Sequence, residues 1–226
     1  MTTLVMGNIN YSSWSVRPWF FLTHAEIPFE ARVLPMDTPS FAADVASWSP
    51  SKRVPVLVLD DGTKVWDSLA IGETIAEEWP KAGVWPQSAK LRRMARSACA
   101  EMHSSFTEVR RTMPCNARTR YAPTRWRELA GSPESERAVE AEVDRIHALW
   151  TTLLQASGGP FLSGERAGYV DAFFAPVVSR FISYAVTSPS DAAAYRERLT
   201  QLPAWQKWMN AAATEPHVIQ KYEFHG

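Results

Sequence analysis

The chain has 226 residues, 46% of them apolar and 21% charged, which is the make-up of a globule with a sizeable core, as one large domain or two small ones. Lys+Arg and Asp+Glu both number 24, so the formal charge is zero and nothing overall argues for a nucleic acid or an anionic membrane as partner. Cys99 and Cys115 form no CxxC and no metal-ligand spacing, and read as free thiols of a reducing compartment. The start, MTTLVMGNINYSS, has no basic region before its apolar residues and does not read as a signal peptide. No apolar run approaches membrane-spanning length, and the expected location is cytoplasmic.

Thr3 to Gly7 reads as a strand, and Asn8 to Ser13 as a polar turn. Ser15 then caps a helical pattern through Val16, Trp19, Phe20 and Ala25, with Pro18 early enough for its missing N–H to cost little. Phe29 to Leu34 is a second strand, parallel to the first if the crossover is right-handed. Asp37 to Trp48 reads as a short helix and loop, closed by Ser49-Pro50-Ser51. Val54 to Leu59 is a β-prone run, Asp61-Gly62 a two-residue hairpin signal, and Lys64-Val65-Trp66 the return strand. Asp67-Ser68 offers a helix start before the periodic Leu69, Ile71, Ile75, Ala76 and Trp79. The Pro/Gly-containing stretch from Pro80 to Ser88 is the expected boundary.

Beyond it the pattern is helical: Leu91 to about Met113 as one long amphipathic helix, a polar interruption from Pro114 to Pro123, then Pro133 to Leu154. Gly158-Gly159-Pro160 ends that helix. Asp171 opens an apolar helix to about Val186, followed by two shorter ones, Ser190 to Leu199 and Pro203 to Ala212, and a polar, extended tail from Glu215. Basic patches at Arg92-Arg93, Arg110-Arg111 and Arg118 to Arg127 are offset by acidic residues. The expectation is an α/β domain plus an all-α domain: residues 1–81, a linker at 82–88, and a helical domain at 89–226.

Three stretches carry chemistry. Asn10 to Ser15 places hydroxyls and backbone N–H groups at the positive end of a helix, where an anion is stabilised by about 1 kcal/mol from the dipole and more by direct hydrogen bonds. Ser12 or Ser13 there could donate to a thiolate, though both also suit plain turn and capping roles. Asp67-Ser68 could meet the ammonium and carboxylate of an amino-acid head group, or simply cap a helix. Val54, left by Pro55 with free backbone groups, could pair with an extended peptide, with Lys52 and Arg53 beside it to meet a carboxylate. Together these describe a groove for a small zwitterionic peptide with a thiol near Ser12 or Ser13.

Over nearly its whole length the chain resembles the cytosolic glutathione transferases, closest to the serine-type members and especially the zeta class, in a bacterial subgroup. The resemblance rests on Ser12-Ser13-Trp14-Ser15, Lys52-Arg53-Val54-Pro55, Asp67-Ser68-Leu69-Ala70-Ile71 and Gly168-Tyr169-Val170-Asp171-Ala172. Trp14 stands where the zeta signature has cysteine, and Asp67 where it has glutamine. The resemblance implies a thioredoxin-like N-terminal domain with a C-terminal helical bundle, a cis Val54-Pro55 bond, and glutathione as co-substrate. It implies Ser12 or Ser13 as the catalytic hydroxyl, Lys52, Arg53, Val54, Asp67 and Ser68 as glutathione-binding, and Asp171 as a structural cap. Ala100 to Phe106 and Met113 to Asn116 would line the cleft for a small hydrophobic electrophile, though Met102, Phe106 and Met113 also suit plain core roles and His103 is a lone histidine; the cysteines fall in the helical half, away from the peptide groove. A homodimer is implied, with no metal. The expected activity is glutathione transfer. The alternatives are cis-trans isomerisation of the maleylacetoacetate type and a non-catalytic protein on the same scaffold.

Overall fold

The computed structural model describes residues 1–224. Its sheet has the order β2-β1-β3-β4. Strand β1 (Thr3–Met6) runs parallel to β2 (Glu30–Val33) and antiparallel to β3 (Val56–Val58), which pairs antiparallel with β4 (Lys64–Trp66). Period-2 alternation decides which side chain goes to which face. Leu4, Met6 and Leu57 face α1 (Ser13–His24) and α3 (Ser68–Glu78), where they meet Val16, Phe20, Ile71 and Ile75. Val5 and Val56 face the other way, onto Val45 of α2 (Phe41–Trp48).

The helical half comprises α4 (Ala89–Ser104), α5 (Thr107–Thr112), α6 (Arg125–Ala130), α7 (Pro133–Ser157), α8 (Tyr169–Ser183), α9 (Ser190–Thr200) and α10 (Pro203–Thr214). Every residue of α8 except Ile182 is buried. This helix packs on α1, and Tyr169 at its start donates its hydroxyl to the Ser68 carbonyl at 2.6 Å. The two halves therefore share one continuous apolar core.

Several elements differ from the sequence expectation. Helix α1 starts at Ser13 with Ser12 at the N-cap, not at Ser15. Pro18 is therefore well inside it, and the Trp14 carbonyl lacks the N–H it would otherwise receive. The β3–β4 connection is a three-residue loop, since Leu59 N–H still bonds Thr63 O at 2.9 Å and Gly62 adopts φ +86°. A turn ending in a left-handed residue is the usual three-residue alternative to a two-residue hairpin. The expected single helix from Leu91 to Met113 breaks at Ser105-Phe106, where Phe106 takes a left-handed φ of 63° and buries its ring. Helix α6 lies between Pro123 and Pro133, where the sequence reading names no element. Asp171 sits one turn inside α8, where its carboxylate accepts N–H bonds from Leu162, Ser163 and Gly168 at 2.9–3.2 Å, tying the preceding loop to the helix start.

Candidate functional site

The turn after β1 is held from far along the chain. Glu215 accepts from Asn8 Nδ2 at 3.1 Å and from the backbone N–H groups of Ile9 and Asn10 at 3.0 Å. Trp208 Nε1 donates to Ile9 O at 2.9 Å, and the Asn10 side chain bonds Asn116 and the Arg118 N–H at 2.9 Å each. Thus Ser12 and Ser13 arrive at the mouth of α1 on a fixed backbone, both nearly buried. Their hydroxyls are not equivalent. Ser12 Oγ donates to Ser15 Oγ at 2.8 Å, and Ser15 Oγ accepts the Gly7 N–H at 3.0 Å, so the Ser12 proton is committed within the turn. Ser13 Oγ instead accepts from Arg180 Nη2 at 3.1 Å, which leaves its own O–H to be donated elsewhere.

Two clefts meet here, with Trp14 in the wall of both. The outer one, about 400 Å³, is lined by Ser51, Arg53, Val54, Pro55, Trp66, Asp67, Ser68 and His103 as well as Trp14. The Val54-Pro55 peptide is cis, as the resemblance implies, and β3 begins only at Val56, so the backbone of Val54 lies outside the ladder. Asp67, at φ 76°, caps α3 through the Leu69 N–H at 2.8 Å and faces His103 Nε2 at 3.3 Å. Burial holds the His103 imidazole below its ordinary pKa, with Asp67 opposing and the Arg17 and Arg110 charges reinforcing the shift. Ser68 is buried and receives Arg17 Nη1 at 3.2 Å from behind. Of the seven sequence candidates, Arg53, Val54, Asp67 and Ser68 share this cleft, while Ser12 and Ser13 line the neighbouring one. Lys52 is exposed at φ 55° and lines neither.

The inner cavity, about 270 Å³, is an open cleft lined by Ser12, Ser13, Arg110, Pro114, Cys115 and Arg180 together with Tyr11, Met36 and Tyr222. Arg110 and Arg17 lie over the two-ring system of Trp14 at 4.8 and 4.1 Å. Burial, then the neighbouring Arg180 charge, brings the Arg110 guanidinium down to about 10, with Glu142 opposing. The Arg17 guanidinium is likewise held well below its ordinary value, by burial first and Arg110 second. A guanidinium keeps its proton in proteins, so these shifts express the cost of burying positive charge here and not its loss. Arg110 and Arg111, adjacent in sequence, diverge: Arg111 pairs with Glu108 at the surface, while Arg110 turns inward.

One expectation needs correction and another holds in part. Cys115 is not away from the serine turn: it lines the inner cavity, with its sulfur 3.8 Å from Asn10 O. Burial pushes its thiol pKa up, which disfavours the thiolate. Of the two stretches expected to line the second-substrate cleft, His103, Pro114 and Cys115 line the clefts, while Met102, Phe106 and Met113 are core residues, the other role their apolar side chains allowed. Arg17 and Arg180 were missed as site residues. Their signal was an arginine within an otherwise apolar helix, in Trp14 to Leu22 and again in Ala172 to Ile182. Among the described residues no His/Cys/Asp/Glu cluster could hold a metal ion, and no helix is long and apolar enough to cross a membrane.

Comparison with known proteins places this geometry. The sequence matches the profile "Glutathione S-transferase, N-terminal domain" over residues 11–78 and "Glutathione S-transferase, C-terminal domain" over residues 136–211. It matches no curated protein. Among solved structures, a glutathione transferase homolog from Sulfitobacter with bound glutathione is 18% identical, with a TM-score of 0.68 over 93% of this chain and 97% of that one. The Tau class glutathione S-transferase of mango is 21% identical, with a TM-score of 0.69 over 94% and 96%. A sphingomonad glutathione S-transferase complexed with glutathione is 19% identical, with a TM-score of 0.64 over 94% and 100%. At these identities the likeness is one of fold: a thioredoxin-like α/β domain followed by an all-α bundle. With both domains matched to one family, over more than half of its length, the chain belongs to the glutathione S-transferase family.

Proposed function

We propose that the protein binds glutathione in the outer cleft, holds its sulfur as a thiolate at Ser13, and adds it to a small electrophile in the inner cavity. The observation that carries this reading is the Arg180–Ser13 bond. A hydroxyl that already accepts from a guanidinium is polarised, and its proton is the one left to donate towards the cavity. A hydrogen bond to a charged group contributes about 1.5–3 kcal/mol, which lowers a thiol pKa from about 8.5 by roughly one to two units. Ser12, whose proton is committed to Ser15, is the weaker candidate of the pair.

The outer cleft supports the rest of the tripeptide. Val54 offers unpaired backbone groups to the cysteinyl unit. Ser68 and the free N–H groups at the start of α3 suit the γ-glutamyl carboxylate, and Asp67 its ammonium. Arg53, with Lys52 outside the cleft wall, is placed for the glycyl carboxylate. The serine turn supports membership among the serine-type enzymes. Placement in the zeta class rests on sequence resemblance, as does a homodimer, for which the exposed Trp66 at the sheet edge is a candidate contact.

The test is the absorbance of bound glutathione thiolate against pH, with turnover measured alongside. Ser13→Ala is expected to raise the apparent thiol pKa by about one to two units, and Ser12→Ala to move it far less. A larger shift with Ser12→Ala transfers the role to Ser12. If neither change moves the pKa or turnover, the serine mechanism is wrong.

A further inference from the structure

A third cleft, open and about 900 Å³ in volume, lies in the helical half between α6, α7 and the connection from α8 to α9. It shares no lining residue with the two clefts at Trp14. Its walls are apolar at Trp126, Val143 and Val186, and polar where His147 of α7 meets Ser188 of the connection. His147 Nε2 stands 2.9 Å from Ser188 Oγ, and among the described residues no other histidine is bonded to a hydroxyl. Ser188 Oγ also accepts from Arg196 Nη1 at 2.6 Å, and the same nitrogen donates to Val186 O at 2.8 Å. Among the described residues Arg196 has no carboxylate partner. Packing fixes the His147 ring, edge-on to Trp150 and Phe181 at 5.8 and 5.4 Å. The start of α9 is already tied to α7 by the bond from Thr151 to Asp191, so a clasp at this point has another bond to serve it.

With Arg196 donating into it, Ser188 Oγ keeps its own O–H for the imidazole when the ring is neutral and carries its proton on Nδ1. Burial, reinforced by the Arg196 charge and opposed by Asp144 and Asp191, holds His147 below its ordinary pKa, so the neutral ring prevails at neutral pH. A hydroxyl in hydrogen-bond reach of a neutral imidazole is the arrangement of a nucleophile and its base. Beside it, at the start of α9, the N–H groups of Thr187, Ser188, Ser190 and Asp191 have no acceptor among the described residues. Such donors suit an oxygen that becomes negative during reaction. We propose that this cleft is a second active site, in which Ser188 as nucleophile and His147 as its base hydrolyse small uncharged esters without glutathione. The apolar walls suit an apolar acyl or aryl group. Arg127 is paired with Glu140 at the lining, which leaves the Asp144 charge to disfavour an anionic substrate. In the first step Ser188 Oγ bonds the carbonyl carbon, its proton passes to His147 Nε2, and the carbonyl π pair moves onto oxygen. That pair returns as the bond to the alcohol oxygen breaks, and the departing oxygen takes the proton from Nε2. Water then gives a proton to the same nitrogen and attacks the acyl group. Ser188 leaves, recovers that proton, and the acid is released. Arg196 stabilises negative charge on Ser188 Oγ in both halves, and water is the sole co-reactant.

The probes are p-nitrophenyl butyrate and an alkyl fluorophosphonate, which phosphonylates activated serines, both used with glutathione absent. The wild type is expected to hydrolyse the ester with saturation and to be phosphonylated at Ser188, located by mass spectrometry of its peptides. Ser188→Ala is expected to lose ester hydrolysis at least tenfold. His147→Gln, which keeps a polar side chain beside Ser188, is expected to slow phosphonylation about hundredfold, the usual contribution of a general base. Urea midpoints at pH 8 show whether each variant is folded; where one is not, labelling of the wild type alone decides. Wild-type protein left unlabelled at Ser188 overturns the proposal, as does ester hydrolysis that persists unaltered in Ser188→Ala. Equal labelling rates in wild type and His147→Gln also overturn it, because a merely structural Ser188–His147 bond predicts that result. None of these readouts involves glutathione, so each outcome leaves the transferase reading where it stands.

Discussion

Glu215 lies 205 residues beyond Asn10, yet its carboxylate is the principal restraint on the turn that presents Ser12 and Ser13. Oε1 accepts from Asn8 Nδ2 and the Ile9 N–H, and Oε2 from the Asn10 N–H, all at 3.0–3.1 Å. Ile9 is 7% exposed and Asn10 0%, so removing the acceptor strands two backbone donors where water scarcely reaches. Each stranded donor costs about 1–3 kcal/mol. Glu215 is half-buried, so water entering the space it vacates reduces the sum, and Glu215→Ala is expected to destabilise by about 2–3 kcal/mol. Glu215→Gln is milder and diagnostic. Its amide oxygen still serves the Asn8 and Ile9 donors, but its NH2 faces the Asn10 N–H, donor against donor, at a cost of about 1–2 kcal/mol. Equilibrium urea unfolding, followed by tryptophan fluorescence at fixed protein concentration, reads both. With a slope of about 2–3 kcal/mol per molar urea, Glu215→Ala should lower the midpoint by roughly 1 M and Glu215→Gln by about half as much. An alanine variant within about 0.2 M of wild type, or a glutamine variant no better than alanine, would refute the assignment of these bonds as the turn's anchor.

Two further outcomes follow from packing and titration. Gly72 lies inside α3 directly under the Tyr169 ring, and an added Cβ would overlap that ring. Helix propensity alone favours alanine by about 1 kcal/mol, but overpacking a core costs typically 1–3 kcal/mol. Gly72→Ala is therefore expected to lower the unfolding midpoint and to weaken the Tyr169–Ser68 link between the two halves; a stabilised variant would show that the ring moves aside freely. Burial is the first cause that holds the imidazoles of His24, His103 and His147 below their ordinary value. The unfolded chain therefore binds protons that the folded one resists, and stability should be level above about pH 6.5 and fall as the pH drops below it. His147→Gln should flatten part of that slope while leaving the midpoint at pH 8 within about 1 kcal/mol in stability of wild type; an unchanged slope in that variant would remove His147 from the account.

The α/β half was largely legible because its signals are local. The Val56–Val58 and Lys64–Trp66 strands and the α3 start at Asp67-Ser68 are each specified within a few residues, although the turn between the strands is one residue longer than its Asp61-Gly62 signal implies. Errors arose where distant packing overrode local preference. Phe106 breaks the α4–α5 run in a left-handed conformation, with its ring buried in the core, and no glycine or proline announced it. The serine turn was located as a place to hold an anion, but the division of labour between Ser12 and Ser13 was not visible. It depends on Arg180, which joins Ser13 across 167 residues of sequence. The cavity's charge was hidden for a related reason. A formal charge of zero averages over the whole chain, while Arg17 and Arg180, buried, and Arg110, half-buried, have no carboxylate partner among the described residues.

The candidate site is therefore a joint product of both halves, although Ser12 and Ser13 belong to the first. Besides Ser15 and the Met36 N–H, the groups that fix the Asn8–Ser13 turn come from beyond residue 100: Asn116 and Arg118 from the loop after α5, Arg180 from α8, Trp208 from α10, and Glu215 and Glu223 from the tail. The same segments supply Arg110, Cys115, Arg180 and Tyr222 to the inner cavity. Rigid support for Ser12 and Ser13 and the lining of the cavity beside them are thus carried largely by one half of the chain. A change in that half that alters the cavity cannot leave the serine turn wholly indifferent, because Arg180 touches both. Substitutions confined to Val54, Asp67 and Ser68, whose cleft lies on the other side of Trp14, act on tripeptide binding without that coupling. Coupling energies should accordingly be large between Ser13 and Arg180 and small between Ser13 and Arg53, because contact through a shared hydrogen bond, and not membership of one site, is what makes mutational effects depart from additivity.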